Sequence, residues 1–359
     1  MTPLRMGYVG CGFMAQSVHI PNLLSIPECE LLAIAEVRPE LGRQVQAHFR
    51  IPRLYQSHQE LAEDRDIQAV GISGHFVGQG ELAIDMLRAG KDVFMEKPMA
   101  VTVAQAERIV AAASSSGRRL MVGYMKRYDR GNIAAKRLVQ QFRASGELGQ
   151  VRYVRNHGFC GNWVAGNSAP VLQTAEPVPA VAPQIPEWMP EQFYRQYIGY
   201  LQQYTHNINL VRWFLDAGHD IQVKVVDLDG RDGMTGVVVL DVGGVRTVLE
   251  SGSVAYHAWD EHTQIYFERG WVRTEAPPLL LRNVPASVEV YRTDAGQGST
   301  QTAHFPEGGW SWSYREEMQH FIQAVQAGTP FDSSAEDTLA DVRIFETIYR
   351  AFVETQARA

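Results

Sequence analysis

Cysteine is scarce in this chain of 359 residues: Cys11, Cys29 and Cys160 are the full set, an odd count with no C-x-x-C spacing. That excludes a disulfide framework and the paired-cysteine zinc patterns, and it suits a reducing compartment. Long apolar runs are missing too. No uninterrupted stretch approaches the roughly 20 residues that span a bilayer, and the first residues show no basic segment leading into an apolar one, so a cytoplasmic protein with no membrane partner is expected. Positive charge is not in excess: 33 lysines and arginines stand against 40 acids, for a net charge of −7, and the basic residues are scattered. The balance offers no field for nucleic acid and directs attention to a small-molecule partner. Repeats and low-complexity tracts are also absent.

What the chain does contain is apolar material, 45% of its residues against 20% charged, enough for a large core and, at this length, two domains. Over residues 1–123 short apolar runs alternate with helical patterns, with strands expected at 5–9, 31–36, 69–73, 92–95 and 120–122 and helices at 15–24, 39–49, 80–89 and 103–116. Thr102 is the expected N-cap of the last of these helices. Such alternation predicts a doubly wound parallel sheet, an α/β Rossmann domain. Residues 124–359 are expected to form a second, α+β domain for substrate binding and association. There a helix near 131–144 leads into the alternating run at 151–155, helical spacing returns over 197–215, and turn signals punctuate residues 221–293. A large, mainly antiparallel open sheet follows from that pattern. Two closing helices, 313–327 and 335–356, are expected to pack back on the first domain. The proline-rich stretch 161–193 lacks a period and is expected to be an ordered loop or lid over a site.

The chemistry begins at the first strand's end. Gly10-Cys11-Gly12-Phe13-Met14-Ala15 reads G-x-G-x-x-A, in which the first glycine makes the tight turn, the second admits a pyrophosphate, and the small third residue lets helix and strand pack. The backbone here, through Phe13 and Met14, would offer N–H groups and a helix N-terminus to an anion. Glu36 closes the second apolar run, about 20 residues on, where such folds place an acid on the adenosine ribose. It favours NAD, whereas Arg38 offers a seat for a 2′-phosphate and keeps NADP possible. Glu96-Lys97-Pro98 puts Lys97 just past a strand's C-terminal end, the rim where open α/β sheets bind ligands.

With the Gly10-to-Pro21 segment, Ala89-Gly90-Lys91, Glu96-Lys97-Pro98, Val122-Gly123-Tyr124 and the helix from His206 to Trp213, the chain resembles the Gfo/Idh/MocA family of nicotinamide-dependent dehydrogenases over essentially its whole length. The resemblance implies that Lys97 and His206 flank the nicotinamide and the reacting carbinol. An imidazole is suited to taking a hydroxyl proton near neutral pH, and an ammonium beside the same oxygen stabilises a developing alkoxide. Where the family commonly has an aspartate one turn before the histidine, this chain has Gln202; it can position substrate but supplies no negative charge to hold Lys97 and His206 protonated. Asn209 likewise replaces a family aspartate, and Ser73-Gly74-His75 stands where a Thr-Pro-Asn-like turn is usual, against the cofactor.

Gly123 to Asp129 resembles the stretch with which sugar and inositol dehydrogenases enter the active site, which places Tyr124, Arg127 and Tyr128 near the ligand. Trp163 and Trp188 are expected either to stack on a sugar ring or to anchor the loop. His257, Asp260, Glu261 and His262 invite a metal reading, but residues along one strand alternate between faces, so no metal is expected. The reading is an NAD-dependent oxidoreductase acting on a hydroxyl or keto carbon of a sugar, glycoside or cyclitol. The alternatives are a redox-neutral, NAD-using glycoside-cleaving enzyme and a non-catalytic nucleotide- or sugar-binding regulator. Relatives of this kind pair through the second domain's sheet, which implies a homodimer or homotetramer.

Overall fold

The structure, a computed structural model, describes residues 2–165, 167, 171–253, 259–294, 298–306 and 309–358. It divides into two units, the first comprising Met1–Tyr124, Ser168–Pro186 and Tyr314–Arg343, the second Met125–Asn167, Glu187–Ser313 and Ile344–Ala359.

In the first unit six strands, β1 (Leu4–Val9), β2 (Cys29–Ala35), β3 (Arg53–Tyr55), β4 (Ala69–Ile72), β5 (Asp92–Glu96) and β6 (Leu120–Gly123), form one sheet in the order β3-β2-β1-β4-β5-β6. Every pairing is parallel. Parallel strands are covered on both faces, and accordingly all of β4 and β5 is buried. The crossover helices are α1 (Ile20–Ser25), entered through a π-helical turn at Ala15–His19, then α2 (Pro39–Phe49), α3 (His58–Glu63), α4 (Gln79–Arg88) and α5 (Val103–Ser116). Local chemistry fixes their ends. Pro39 opens α2 at its first position; the Thr102 hydroxyl accepts the Gln105 N–H at 3.1 Å, and Gly117 closes α5 with φ +63°. Strand β3 and helix α3 were not anticipated by the periodicity. Three residues cannot display a period, but Ser57-His58-Gln59-Glu60 is the S-x-x-E start signal, and the Ser57 hydroxyl does accept the Glu60 N–H at 3.2 Å.

The second unit holds an eight-stranded sheet: β7 (Val151–Cys160), β8 (Ile221–Leu228), β9 (Gly236–Val242), β10 (Val245–Ser253), β11 (Asp260–Phe267), β12 (Gly270–Glu275), β13 (Ser287–Asp294) and β14 (Gly298–His304). Their order is β14-β13-β12-β11-β7-β10-β9-β8, and β7 with β10 is the parallel pair in an otherwise antiparallel ladder. Gly243 and Gly244, at φ +57° and +80°, form the tight turn between β9 and β10. Helices α6 (Arg130–Ser145) and α7 (Tyr194–Leu215) pack on one face of the sheet. The chain ends with α8 (Ser313–Ala327) and α9 (Ala335–Gln356). Among the described residues no helix is long and apolar enough to cross a membrane.

Candidate functional site

The nucleotide end of the first unit is built where β1, β2, β4 and β5 stop. Gly10 has φ +92°, and a Cβ there would stand 2.8 Å from the Ser73 carbonyl oxygen, so glycine is required on two counts. At Gly12 nothing lies within 4 Å of the place a Cβ would take. That open space over the turn is what a pyrophosphate needs. Ala15 is fully buried where the helix meets the sheet, as the small-residue position of the motif demands. Phe13 and Met14 are half-buried along the turn. Burial pushes the Cys11 thiol well above its usual range, so it is an inert member of the turn.

Glu36 follows β2 and is only 3% exposed, yet it is well provided with donors. It accepts the Cys11 N–H at 2.8 Å and, from Arg38, the backbone N–H at 3.0 Å, Nε at 2.7 Å and Nη2 at 3.0 Å. In sequence Glu36 and Arg38 read as rivals for the nucleotide's ribose end. In the structure they are partners, and the guanidinium's affinity for its proton rises chiefly through its hydrogen bonds to Glu36. Ser73 follows β4 and donates its N–H to the Val9 carbonyl at 3.1 Å, which sets Ser73-Gly74-His75 beside the glycine turn. Gly74 and His75 are exposed, and the His75 ring stacks on Phe76 at 5.3 Å.

Lys97 follows β5 and is half-buried. Its turn is held by a residue that sequence reasoning missed: Gln79 Nε2 donates to the carbonyls of Glu96 at 2.6 Å and Pro98 at 2.8 Å. The Glu96 carboxylate accepts the Lys97 N–H at 3.1 Å through one oxygen and bonds His19 Nε2 at 2.8 Å through the other. Glu317 of α8 completes a buried trio, ligand-type atoms of His19, Glu96 and Glu317 lying within 4.8 Å of one another. Neither oxygen of Glu317 meets a hydrogen-bond donor among the described residues. Burial first, and then the charge of Glu96, raise its pKa well above the ordinary 4.5, which favours the neutral form of Glu317.

Part of the proline-rich stretch belongs to this unit and lies along the same rim. Gln16 exchanges hydrogen bonds with the Leu172 backbone, at 2.8 and 3.1 Å. The Glu176 carboxylate accepts the N–H groups of Glu40 and Leu41 at 2.9 and 3.0 Å, and Val181 packs against Gly78.

In the second unit α7 carries His206, 4% exposed, and Gln202, exposed, one turn apart on one face. Arg127, only 3% exposed, donates Nε to the Asn209 side-chain oxygen at 2.6 Å, so the amide replacing a family aspartate serves an arginine. Tyr128 is 5% exposed, and Tyr124, in the first unit, is 1% exposed and part of its apolar core. Trp163 is 40% exposed. Trp188 is committed elsewhere: its Nε1 donates to Glu346 at 2.9 Å and the Arg350 guanidinium lies 4.7 Å from its ring centre. For that tryptophan the anchoring role prevails over stacking.

The residues that raised the question of a metal separate as strand alternation requires. Glu261 is buried, pairing with Lys126 and accepting from Trp259 Nε1 at 2.9 Å and Asn207 Nδ2 at 3.2 Å. Asp260 and His262 lie on the other face of β11, and His257 falls outside the described residues.

A 3-2-1-4-5-6 parallel sheet, a glycine turn with open space above it, and a carboxylate at the end of β2 are the features of a dinucleotide-binding Rossmann domain. Residues 4–124 match the Gfo/Idh/MocA family model, described as an oxidoreductase family with an NAD-binding Rossmann fold. The chain is 24% identical over 343 residues to myo-inositol 2-dehydrogenase of Thermotoga maritima, covering 93% of this chain and 92% of that one. In fold it is similar to a 3-ketoreductase from Actinomadura kijaniata in complex with NADP and TDP-benzene (TM-score 0.73, 21% identity, 98% of each chain). It is also similar to an oxidoreductase from Agrobacterium radiobacter in complex with NAD+, L-tartaric acid and magnesium (TM-score 0.70, 16% identity, 98% of this chain and 96% of that one). Residues 4–124 thus match the NAD-binding Rossmann domain of that oxidoreductase family, and over nearly its whole length the chain is similar to inositol 2-dehydrogenases.

Proposed function

We propose that the protein transfers hydride between NAD and a hydroxyl-bearing carbon of a sugar, glycoside or cyclitol. The observation that carries the reading is the end-to-end similarity to an inositol dehydrogenase, over 93% of the chain. In this reading His206 takes the carbinol proton, Lys97 stabilises the developing alkoxide, and Gln202 hydrogen-bonds to a substrate hydroxyl. Arg127, Tyr128 and Trp163 contribute to the polyol's surroundings. The bound dinucleotide supplies the hydride acceptor. Gly10, Gly12, Phe13 and Met14 hold its pyrophosphate and Glu36 its ribose, with Ser73, Gly74 and His75 along the nicotinamide side. The test is a panel of sugars and cyclitols incubated with the purified protein and NAD while absorbance of the reduced nicotinamide is followed. Substrate-dependent reduction is expected. Copurified NAD with no net reduction, but with release of an aglycone, would transfer the reading to redox-neutral glycoside cleavage.

The second unit's sheet supports association. On the face away from α6 and α7, cross-strand partners Tyr153, Tyr266, Trp271 and Tyr291 form an aromatic row, and Val225 and Val237 are 51% and 37% exposed. A homodimer or homotetramer formed through this face, in the cytoplasm, is the expected state. Light scattering on a sizing column checks it, and a monomer at micromolar concentration would contradict it.

A further inference from the structure

We propose that Glu176 is a selectivity residue for the dinucleotide: its carboxylate occupies the place at the start of α2 where a phosphate on the adenosine 2′-oxygen would be received, and so directs the first unit toward NAD. The inference rests on the nucleotide-binding reading of that unit and adds to it a residue 140 positions beyond Glu36 (176 − 36).

Rossmann folds that take NADP receive the 2′-phosphate just past the end of the second strand, on a basic side chain and the anion-attracting start of the following helix. Here the basic side chain is Arg38 and the helix is α2. Both are already satisfied from within the chain. Arg38 is bound through Nε and Nη2 to the two oxygens of Glu36. The N–H groups of Glu40 and Leu41, which a phosphate would meet, are taken at 2.9 and 3.0 Å by the two oxygens of Glu176. The nearby Arg43 is paired with Glu40 at 2.6 Å. A 2′-phosphate arriving here would face the carboxylates of Glu36, Glu40 and Glu176, with both neighbouring arginines engaged. Hydroxyls of an unphosphorylated ribose need only Glu36.

Glu176 is not a stray surface acid. Its segment is tied to the glycine-turn helix through Leu172 and Gln16 and lies against Gly78 through Val181, while the Thr174 hydroxyl donates to the carboxylate at 2.9 Å. The same backbone N–H of Glu40 is the largest of the influences that hold the Glu176 carboxyl below its usual range, so the group is an anion throughout the neutral range.

Dissociation constants for NADH and NADPH, read from nicotinamide fluorescence on the full-length protein, test the assignment through Glu176→Gln and Glu176→Ala. The wild type is expected to prefer NADH. In both variants the NADPH-to-NADH ratio of dissociation constants should fall by roughly tenfold, chiefly through tighter NADPH binding, because a like charge has been removed from the phosphate's seat. Adding Arg38→Ala to Glu176→Gln should abolish the gain. Equal weakening of both nucleotides would make the segment a structural brace only; that result, an unchanged ratio, or a wild type without preference overturns the proposal. A wild type that binds neither nucleotide would remove the nucleotide-binding reading itself, and the proposal with it. Thermal melts of the Gln variant, which keeps the side chain's shape, report whether the fold is intact.

Discussion

Glu36 and Glu317 are both buried carboxyls of the first unit, and their surroundings are opposite. Around Glu36 stand four donors, from Cys11 and Arg38; around Glu317 none is found among the described residues. The first sits just past the end of β2 with its carboxylate oxygens met by N–H groups. The second lies inside the fold, where burial and the charge of Glu96 favour its neutral form, and the Glu96 carboxylate accepts the Lys97 N–H. Donors favour the charged form of a buried acid and their lack favours the neutral one; one sheet supports both because its strand ends open onto the rim while α8 closes over the interior.

The most damaging way to break this arrangement is at the residue whose backbone Glu96 holds. Lys97→Ala should lower turnover about 10³-fold while leaving NADH affinity within about threefold, since an ammonium beside a developing alkoxide acts mainly in the transition state. Steady-state rates and fluorescence titration read the two effects separately, and parallel losses in both would mean that Lys97 only supports the fold. Glu36→Ala acts on the donor-rich acid alone. It should weaken NADH about tenfold and, by releasing Arg38, bring NADPH closer to parity, with titration of both nucleotides as the check.

Gln202→Asp adds a carboxylate in the second unit. A new negative charge one turn from His206 favours the protonated imidazole, so the base-limited side of the kcat/KM profile should move to higher pH. A profile that stays in place would separate Gln202 from the proton transfer. The smallest effect belongs to the donor-poor acid. Because its folded pKa is raised, the folded state holds a proton that the unfolded chain releases above the ordinary value of 4.5, so stability falls as pH rises from there toward the folded value. Glu317→Gln should therefore match the wild type in acid and melt a few degrees higher near neutrality. Equal melting temperatures at every pH would mean that Glu317 is ionised in the fold.

The same contrast explains how much could be read from the chain. Glu36, the glycine turn and Lys97 are legible because strand-end chemistry is local: each sits within a few residues of the apolar run that positions it. Helices α2 and α5 are delimited at the expected residues by Pro39, Thr102 and Gly117 for the same reason. Strand β14 escaped because Gly298 to His304 is a polar edge strand with little buried alternation. The trio of His19, Glu96 and Glu317 had no local signal at all, since α8 brings its member from the far end of the chain. Arg38 was visible, but its pairing with Glu36 was not. Spacing shows that a guanidinium is near a carboxylate, whereas only the fold shows that it is spent on it.

The central claim is hydride transfer from a polyol carbon to nicotinamide, and its most direct test is isotopic. Incubated with NAD and a sugar or cyclitol deuterated at its carbon-bound positions, the protein should yield reduced nicotinamide one mass unit heavier, with the label at C4, by mass spectrometry. Reduced or recovered nucleotide with no label from any member of the polyol panel would contradict the account.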